Sequence, residues 1–198
     1  MSLRSTATLA CTIVLATTSV TPVAAQMPMS HTEPGIRPEA QASAAAKPLP
    51  SPAAKASVML NGKSVTIDYN APSLRGRKVM GQQVPYGKVW RTGANPATTL
   101  KTATSLKIGT LDIPAGTYTI YSLPAETSPW MLIINKQTGQ WGTVYNESQD
   151  LGRTPLTGKT LSTPQEKMSI SFEHTSGPST ELHIKWDNAD ESVKVTAQ

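Results

Sequence analysis

Apolar side chains in this chain recur at every second position, and that alternation limits what it can fold into. Val65, Ile67 and Tyr69 alternate with Thr66 and Asp68; Met168, Ile170 and Phe172 alternate with Ser169, Ser171 and Glu173; Leu182, Ile184 and Trp186 alternate with His183, Lys185 and Asp187. Successive side chains of a strand point to opposite faces, so each run offers one face to a core and one to water, as in an antiparallel sheet. Asn61-Gly62 lies between two such runs; both residues tolerate positive φ, which makes the pair a hairpin turn. Residues 117–123 and 130–134 are more uniformly apolar and read as central strands covered on both sides. Turn residues cluster at 109–110, 125–129, 137–139, 152–155 and 176–179, and helical periodicity is hard to find. Short strands at this spacing argue for an all-β sandwich or barrel; the fold expected is a single antiparallel β-sandwich of jelly-roll-like or immunoglobulin-like kind.

The N-terminal quarter is different in kind. Residues 1–25 read as a signal peptide: Arg4 and the amino terminus precede an apolar run over about 7–20, and small residues at Val23 and Ala25 fit a cleavage site before Gln26. That run is too short to span a hydrocarbon core of about 30 Å, and no later segment is long enough. Residues 26–55 carry Pro28, Pro34, Pro38, Pro48, Pro50 and Pro52 among Ala, Ser and Gln without apolar periodicity. Such a segment buries too little surface to offset its ordering entropy, so it reads as a disordered Pro/Ala-rich linker. The β-sandwich domain is expected over 56–198. Cys11, the single cysteine, leaves with the signal, so the mature protein holds together by burial without disulfides. The expected location is periplasmic or secreted.

The segment from Val84 to Thr99 is too rich in Gly, Pro, Trp and Arg for a generic strand or helix. Together with Ala71-Pro72-Ser73-Leu74-Arg75-Gly76-Arg77-Lys78 it forms the first of three distinctive blocks. The second is Ile113-Pro114-Ala115-Gly116-Thr117-Tyr118, ending at Leu123-Pro124. The third runs from Trp130 to Asn135, followed by Gln140-Trp141-Gly142 and Tyr145. On these blocks the domain resembles the bacterial domain-of-unknown-function family numbered 2911. The resemblance implies an exported β-sandwich domain and brings no catalytic residues with it.

Charge is unevenly distributed. Between Tyr69 and Leu111 lie Arg75, Arg77, Lys78, Lys88, Arg91, Lys101 and Lys107 and no carboxylate; from Asp112 onward ten carboxylates face six cations. Two readings stand. The basic half can pair with the acidic half inside one sandwich, or it can form an anion-attracting surface. In the second reading Arg75, Arg77, Tyr86, Trp90, Arg91, Asn95 and Trp141 are the ligand-binding candidates, because a guanidinium fork suits carboxylate or phosphate and an aromatic face suits a sugar ring. Arg91 and Asn95 also have a purely structural reading, as groups that satisfy the backbone of a Gly- and Pro-rich loop.

Other chemistries find less support. His174 and His183 can meet across a hairpin, but a solvent-facing pair with no third ligand makes no zinc site. The sequence points to no metal and no cofactor. There is no Gly-x-Ser-x-Gly elbow, and Asp68, Asp112, Glu147, Asp150 and Glu173 are candidates for paired-carboxylate hydrolysis only by being acids. Arg75-Gly76-Arg77-Lys78 is set aside as a nucleic-acid site because the leader directs the chain out of the cytoplasm. The reading is a non-enzymatic, envelope-associated binding module with an anionic or carbohydrate polymer as ligand. The alternatives are a small hydrolase acting on envelope polysaccharide and a purely structural protein-interaction domain.

Overall fold

The structure, a computed structural model, describes residues 50–198. The expected signal peptide and residues 26–49 of the expected linker lie outside the described residues. Two antiparallel sheets make up the rest. The larger has the order β1 (Ala53–Leu60), β2 (Lys63–Asn70), β3 (Thr98–Thr102), β6 (Gly116–Leu123), β7 (Met131–Asn135), β8 (Asp150–Pro155). The smaller has the order β5 (Leu111–Ile113), β4 (Leu106–Ile108), β10 (Ser179–Ala197), β9 (Thr157–Ser176). The β4–β5 hairpin interrupts the larger sheet: the chain leaves after β3, joins the second sheet, and returns as β6 beside β3. Among the described residues no helix is long and apolar enough to cross a membrane.

The alternation places the core as expected. Ile67, Leu100, Ile120, Leu132 and Ile134 of the larger sheet meet Leu106, Ile108, Met168, Ile170, Leu182 and Ile184 of the smaller in one continuous apolar cluster. Burying each such side chain contributes roughly 1.5–3 kcal/mol, and in a domain without disulfides these side chains supply the cohesion. Asn61 and Gly62 adopt φ of 48° and 73° and pair Leu60 with Lys63, the two-residue turn whose twist matches the strands. β6 and β7 are buried on both faces over most of their length. The Tyr69 hydroxyl accepts from the Ile170 N–H at 3.1 Å and ties β2 to β9 across the sandwich.

Two expectations need correction. The folded domain starts earlier than residue 56. Ala53, Ala54 and Lys55 pair with Asn70, Tyr69 and Asp68, and Lys55 reaches Asp68 at 3.1 Å. Pro52 accepts from the Ala71 N–H at 2.9 Å, and Ser51 from the Asn70 side chain at 3.0 Å. The pairing is made by backbone, which a run of alanines does not advertise. His183 meets His174 across the hairpin, ring centroids 6.2 Å apart, yet His183 is buried. Register shifts along β9–β10 accompany this, and Asp190, also buried, takes its Nδ1 at 2.7 Å.

The turn at Gly109 locks the two sheets. Thr110 donates its N–H to Thr154 Oγ1 of β8 at 3.0 Å, and Gly109, at φ 55°, leaves no room for a Cβ against that same oxygen. Gly109→Ala therefore meets both a left-handed backbone and a wall. It is expected to cost about 2–4 kcal/mol, a fall in Tm of roughly 5–15 °C by calorimetry.

Candidate functional site

Residues 71–97, between β2 and β3, fold over one end of the sandwich and are fixed by main-chain bonds to both sheets. Trp90 exchanges two bonds with Ser122 of β6, at 2.7 and 2.8 Å. Gly87 donates to Pro124 O at 2.8 Å, and Leu74 to Glu166 O of β9 at 2.8 Å. Arg75, Thr92 and Asn95 hold positive φ, at 52°, 51° and 59°. For the β-branched Thr92 this conformation costs of order 1–3 kcal/mol. It is held because Thr92 Oγ1 shares a 2.8 Å bond with Ser122 Oγ while its carbonyl accepts from Thr98 Oγ1 at 2.8 Å.

This segment brings five of the seven sequence-predicted candidates together. Arg75, Arg77, Trp90, Arg91 and Asn95 line one pocket of about 250 Å³, with Trp186 of β10 alongside and no carboxylate in its wall. Trp90 and Trp186 stack at 5.9 Å. The guanidinium groups are anchored on backbone carbonyls. Arg75 donates to Pro50 O at 2.5 Å, Arg77 to Leu74 O and Ser73 O at 2.9 and 2.8 Å, and Arg91 to Gly93 O at 3.3 Å. Each guanidinium has five N–H donors, so most remain unused, while the anchors pre-orient the forks.

None of the three guanidinium groups forms an ion pair with a carboxylate among the described residues, although the Glu166 carboxylate accepts from the Arg75 main-chain N–H at 2.9 Å. The cations that do pair with acids are elsewhere: Lys55 and Lys101 on Asp68, Lys107 on Asp112, Arg153 on Glu147 and Asp150, Lys185 on Glu173. Internal pairing thus accounts for Lys101 and Lys107 of the basic segment and leaves the arginines out. For Arg91 and Asn95 both readings hold at once. Arg91 caps Gly93 and Asn95 bonds Ser51 O at 3.3 Å, yet both face the pocket.

Tyr86 and Trp141 do not join this pocket. Trp141 is exposed beside it, in a bridge with Pro96, where Gly142 donates to Asn95 O at 3.1 Å. Tyr86 lines a second and larger cleft of about 1110 Å³ with Lys78, Trp130, Lys159, Asp187 and Glu191. The sequence reading missed Glu191, which no motif singles out, and Trp186, which reads as core. It also missed that Pro50 and Ser51 complete the arginine pocket.

The five acids named for hydrolysis are engaged. The hydrogen bond from Lys101 holds Asp68 below the usual carboxylate range. Those from Lys185 and Ser171 hold Glu173 at about 2. Tyr145 donates to Asp150 at 2.6 Å, and burial with that bond pushes its hydroxyl up to about 12. Glu191 is the exception. It is 6% exposed, and burial, with the Asp190 charge adding, pushes its carboxyl up to about 7. Among the described residues no three His, Cys, Asp or Glu side chains group as a metal ion would require.

The fold and pocket define a two-sheet β domain that presents at one end arginines held by backbone carbonyls and without ion pairs. The sequence model of a family described as a protein of unknown function (DUF2911) matches residues 51–195, and the chain belongs to that family. No curated protein and no solved structure matches it.

Two measurements check this geometry. A Cβ on Gly142 would lie 2.5 Å from Arg91 Cδ and 2.8 Å from Asn95 O. Gly142→Ala is therefore expected to displace Arg91 and cost about 1–3 kcal/mol in denaturant unfolding. The folded Glu191 carboxyl binds its proton more tightly than the unfolded one, so its contribution falls as pH rises from about 4.5 through about 7. Between pH 5.5 and 8.5 the wild type is expected to lose on the order of 1–3 kcal/mol that Glu191→Gln does not lose.

Proposed function

We propose that this domain is a non-enzymatic binding module that takes an anionic group of an envelope polymer into the arginine pocket. One observation carries the reading: Arg75, Arg77 and Arg91 line a single pocket with no carboxylate in its wall, and Glu166, which accepts from the Arg75 main-chain N–H, pairs with none of their guanidinium groups. An anion in the pocket would occupy the N–H donors that the carbonyl anchors leave unused. Charge-assisted bonds of this kind contribute about 1.5–3 kcal/mol each. The hydrolase alternative is weaker for the five acids named from the sequence, since each is hydrogen-bonded or ion-paired.

The protein is proposed to reach its ligand outside the cytoplasm, after loss of residues 1–25. Intact mass of protein recovered from the periplasm or medium should begin at Gln26; a cytosolic chain that retains Cys11 counts against it.

Retention on immobilised dextran sulfate tests the pocket. Arg77→Ala and Arg91→Ala should each weaken binding about tenfold and elute at clearly lower salt. Lys194→Ala is the charge-matched control, eight residues from Trp186 along β10, or about 25 Å at the rise of a strand. Equal elution of all three variants overturns the reading. Arg77→Ala removes two bonds to loop carbonyls and should cost only about 1 kcal/mol, so its retention is read on folded protein.

A further inference from the structure

The larger cleft stands apart from the arginine pocket. Trp130 lines the cleft, Trp90 and Trp186 line the pocket, and Trp90 touches both of the others, at 6.4 and 5.9 Å. The three indoles form the partition between them. The cleft exceeds the about 300–1,000 Å³ of a site for one drug-sized molecule, so it is sized for a run of linked groups.

Its chemistry centres on Glu191. That side chain is more than nine-tenths buried, lines the cleft, and has a carboxyl oxygen, Oε2, with no hydrogen-bond partner. It lies against Gly158, where a Cβ would come within 2.9 Å of Oε1. The neighbouring Asp190 cannot serve it, because its carboxylate is taken by His183 at 2.7 Å and faces Lys185 at 3.9 Å. Lys78 and Lys159 line the cleft, but neither reaches an acid. Leaving a buried polar group unpaired costs about 1–3 kcal/mol. Oε2 is closed off from solvent, so a ligand in the cleft meets this carboxyl through its other oxygen, Oε1, which also has no hydrogen-bond partner among the described residues.

The rest of the wall narrows the ligand class. Glu126, Asp187 and Glu191 face Lys78 and Lys159, so neither sign of charge is favoured overall. Gln82, Ser128 and Asn188 offer neutral donors and acceptors, and the Tyr86 ring is 37% exposed. A hydroxyl both donates and accepts, so it satisfies a carboxyl in either protonation state. An amphipathic ring against Tyr86 with hydroxyls along its edge meets every requirement. We propose that this cleft is a saccharide-binding site in which Glu191 hydrogen-bonds a ring hydroxyl and Tyr86 flanks the ring.

The site acts independently of the arginine pocket, and the test separates them. The full chain is titrated calorimetrically with neutral hexaoses built on β-1,4-glucose, α-1,4-glucose, β-1,4-xylose and N-acetylglucosamine, and with the hexamer of glucosamine as the cationic counterpart. At least one neutral hexaose should bind, weakened about tenfold or more by Glu191→Leu and by Tyr86→Ala and unchanged by Arg91→Ala. Tyr86→Ala alters a surface side chain and keeps the test valid if Glu191→Leu does not fold. No binding of any neutral hexaose at about 10 mM overturns the proposal. So does binding that both cleft variants leave intact, or loss with Arg91→Ala alone, which places the sugar in the arginine pocket. Binding of the glucosamine hexamer only makes Glu191 a cation site and also overturns it.

Discussion

The Trp90 ring lies flat on Trp186 of β10 at 5.9 Å and edge-on to Trp130 at 6.4 Å, while its backbone pairs with Ser122 of β6. One loop residue therefore touches the smaller sheet through its side chain and the larger sheet through its main chain. Aromatic pairs of this geometry contribute roughly 0.5–1.5 kcal/mol beyond the surface they bury. Their larger consequence here is positional. Trp90 sets the height of Arg91 above the sandwich together with the bonds of Thr92 and the packing of Gly142, and its ring is part of the partition between pocket and cleft.

Around that contact the loop is built to be rigid. Thr92 and Asn95 occupy backbone conformations that favour glycine, and each is held there by bonds to neighbouring segments. Arg75, Arg77 and Arg91 lean on carbonyls of Pro50, Leu74, Ser73 and Gly93. Guanidinium groups fixed in this way lose little further freedom on meeting an anion, which is how preorganisation raises affinity. The same carbonyl contacts keep three guanidinium groups without ion pairs on the wall of one pocket. Chemistry of this kind is costly to a scaffold, and the sandwich below compensates with an apolar core that runs through both sheets.

Legibility in the sequence followed the range of each interaction. Asn61-Gly62, the alternation along β2, β9 and β10, and the doubly buried β6 and β7 are local patterns, and each lies where the pattern put it. Ala53–Lys55 was missed because its membership of β1 rests on backbone pairing to β2, to which alanine side chains give no clue. The grouping of Arg75, Arg77, Trp90, Arg91 and Asn95 could be proposed because they are neighbours along one segment. Tyr86, equally close in sequence, turns to the other cleft, since the loop reverses between Val84 and Trp90 and presents opposite sides to the two cavities. Nothing local to the sequence separates Glu191 from Asp190, yet one is bonded to His183 and the other is left unpaired.

By itself, then, the order of residues determined that this domain is two layers of antiparallel strands without disulfides, and that its cations precede its acids. Period-two alternation and turn chemistry act over a few residues and survive any tertiary arrangement, so they can be read from the chain. Which cations stay unpaired, which tryptophan sits between two cavities and which carboxyl is buried without a partner are different matters. They depend on segments as far apart as Pro50 and Arg75, or Gly158 and Glu191. Burial and Coulomb energy are set by neighbours in space, so only the packed sandwich decided them.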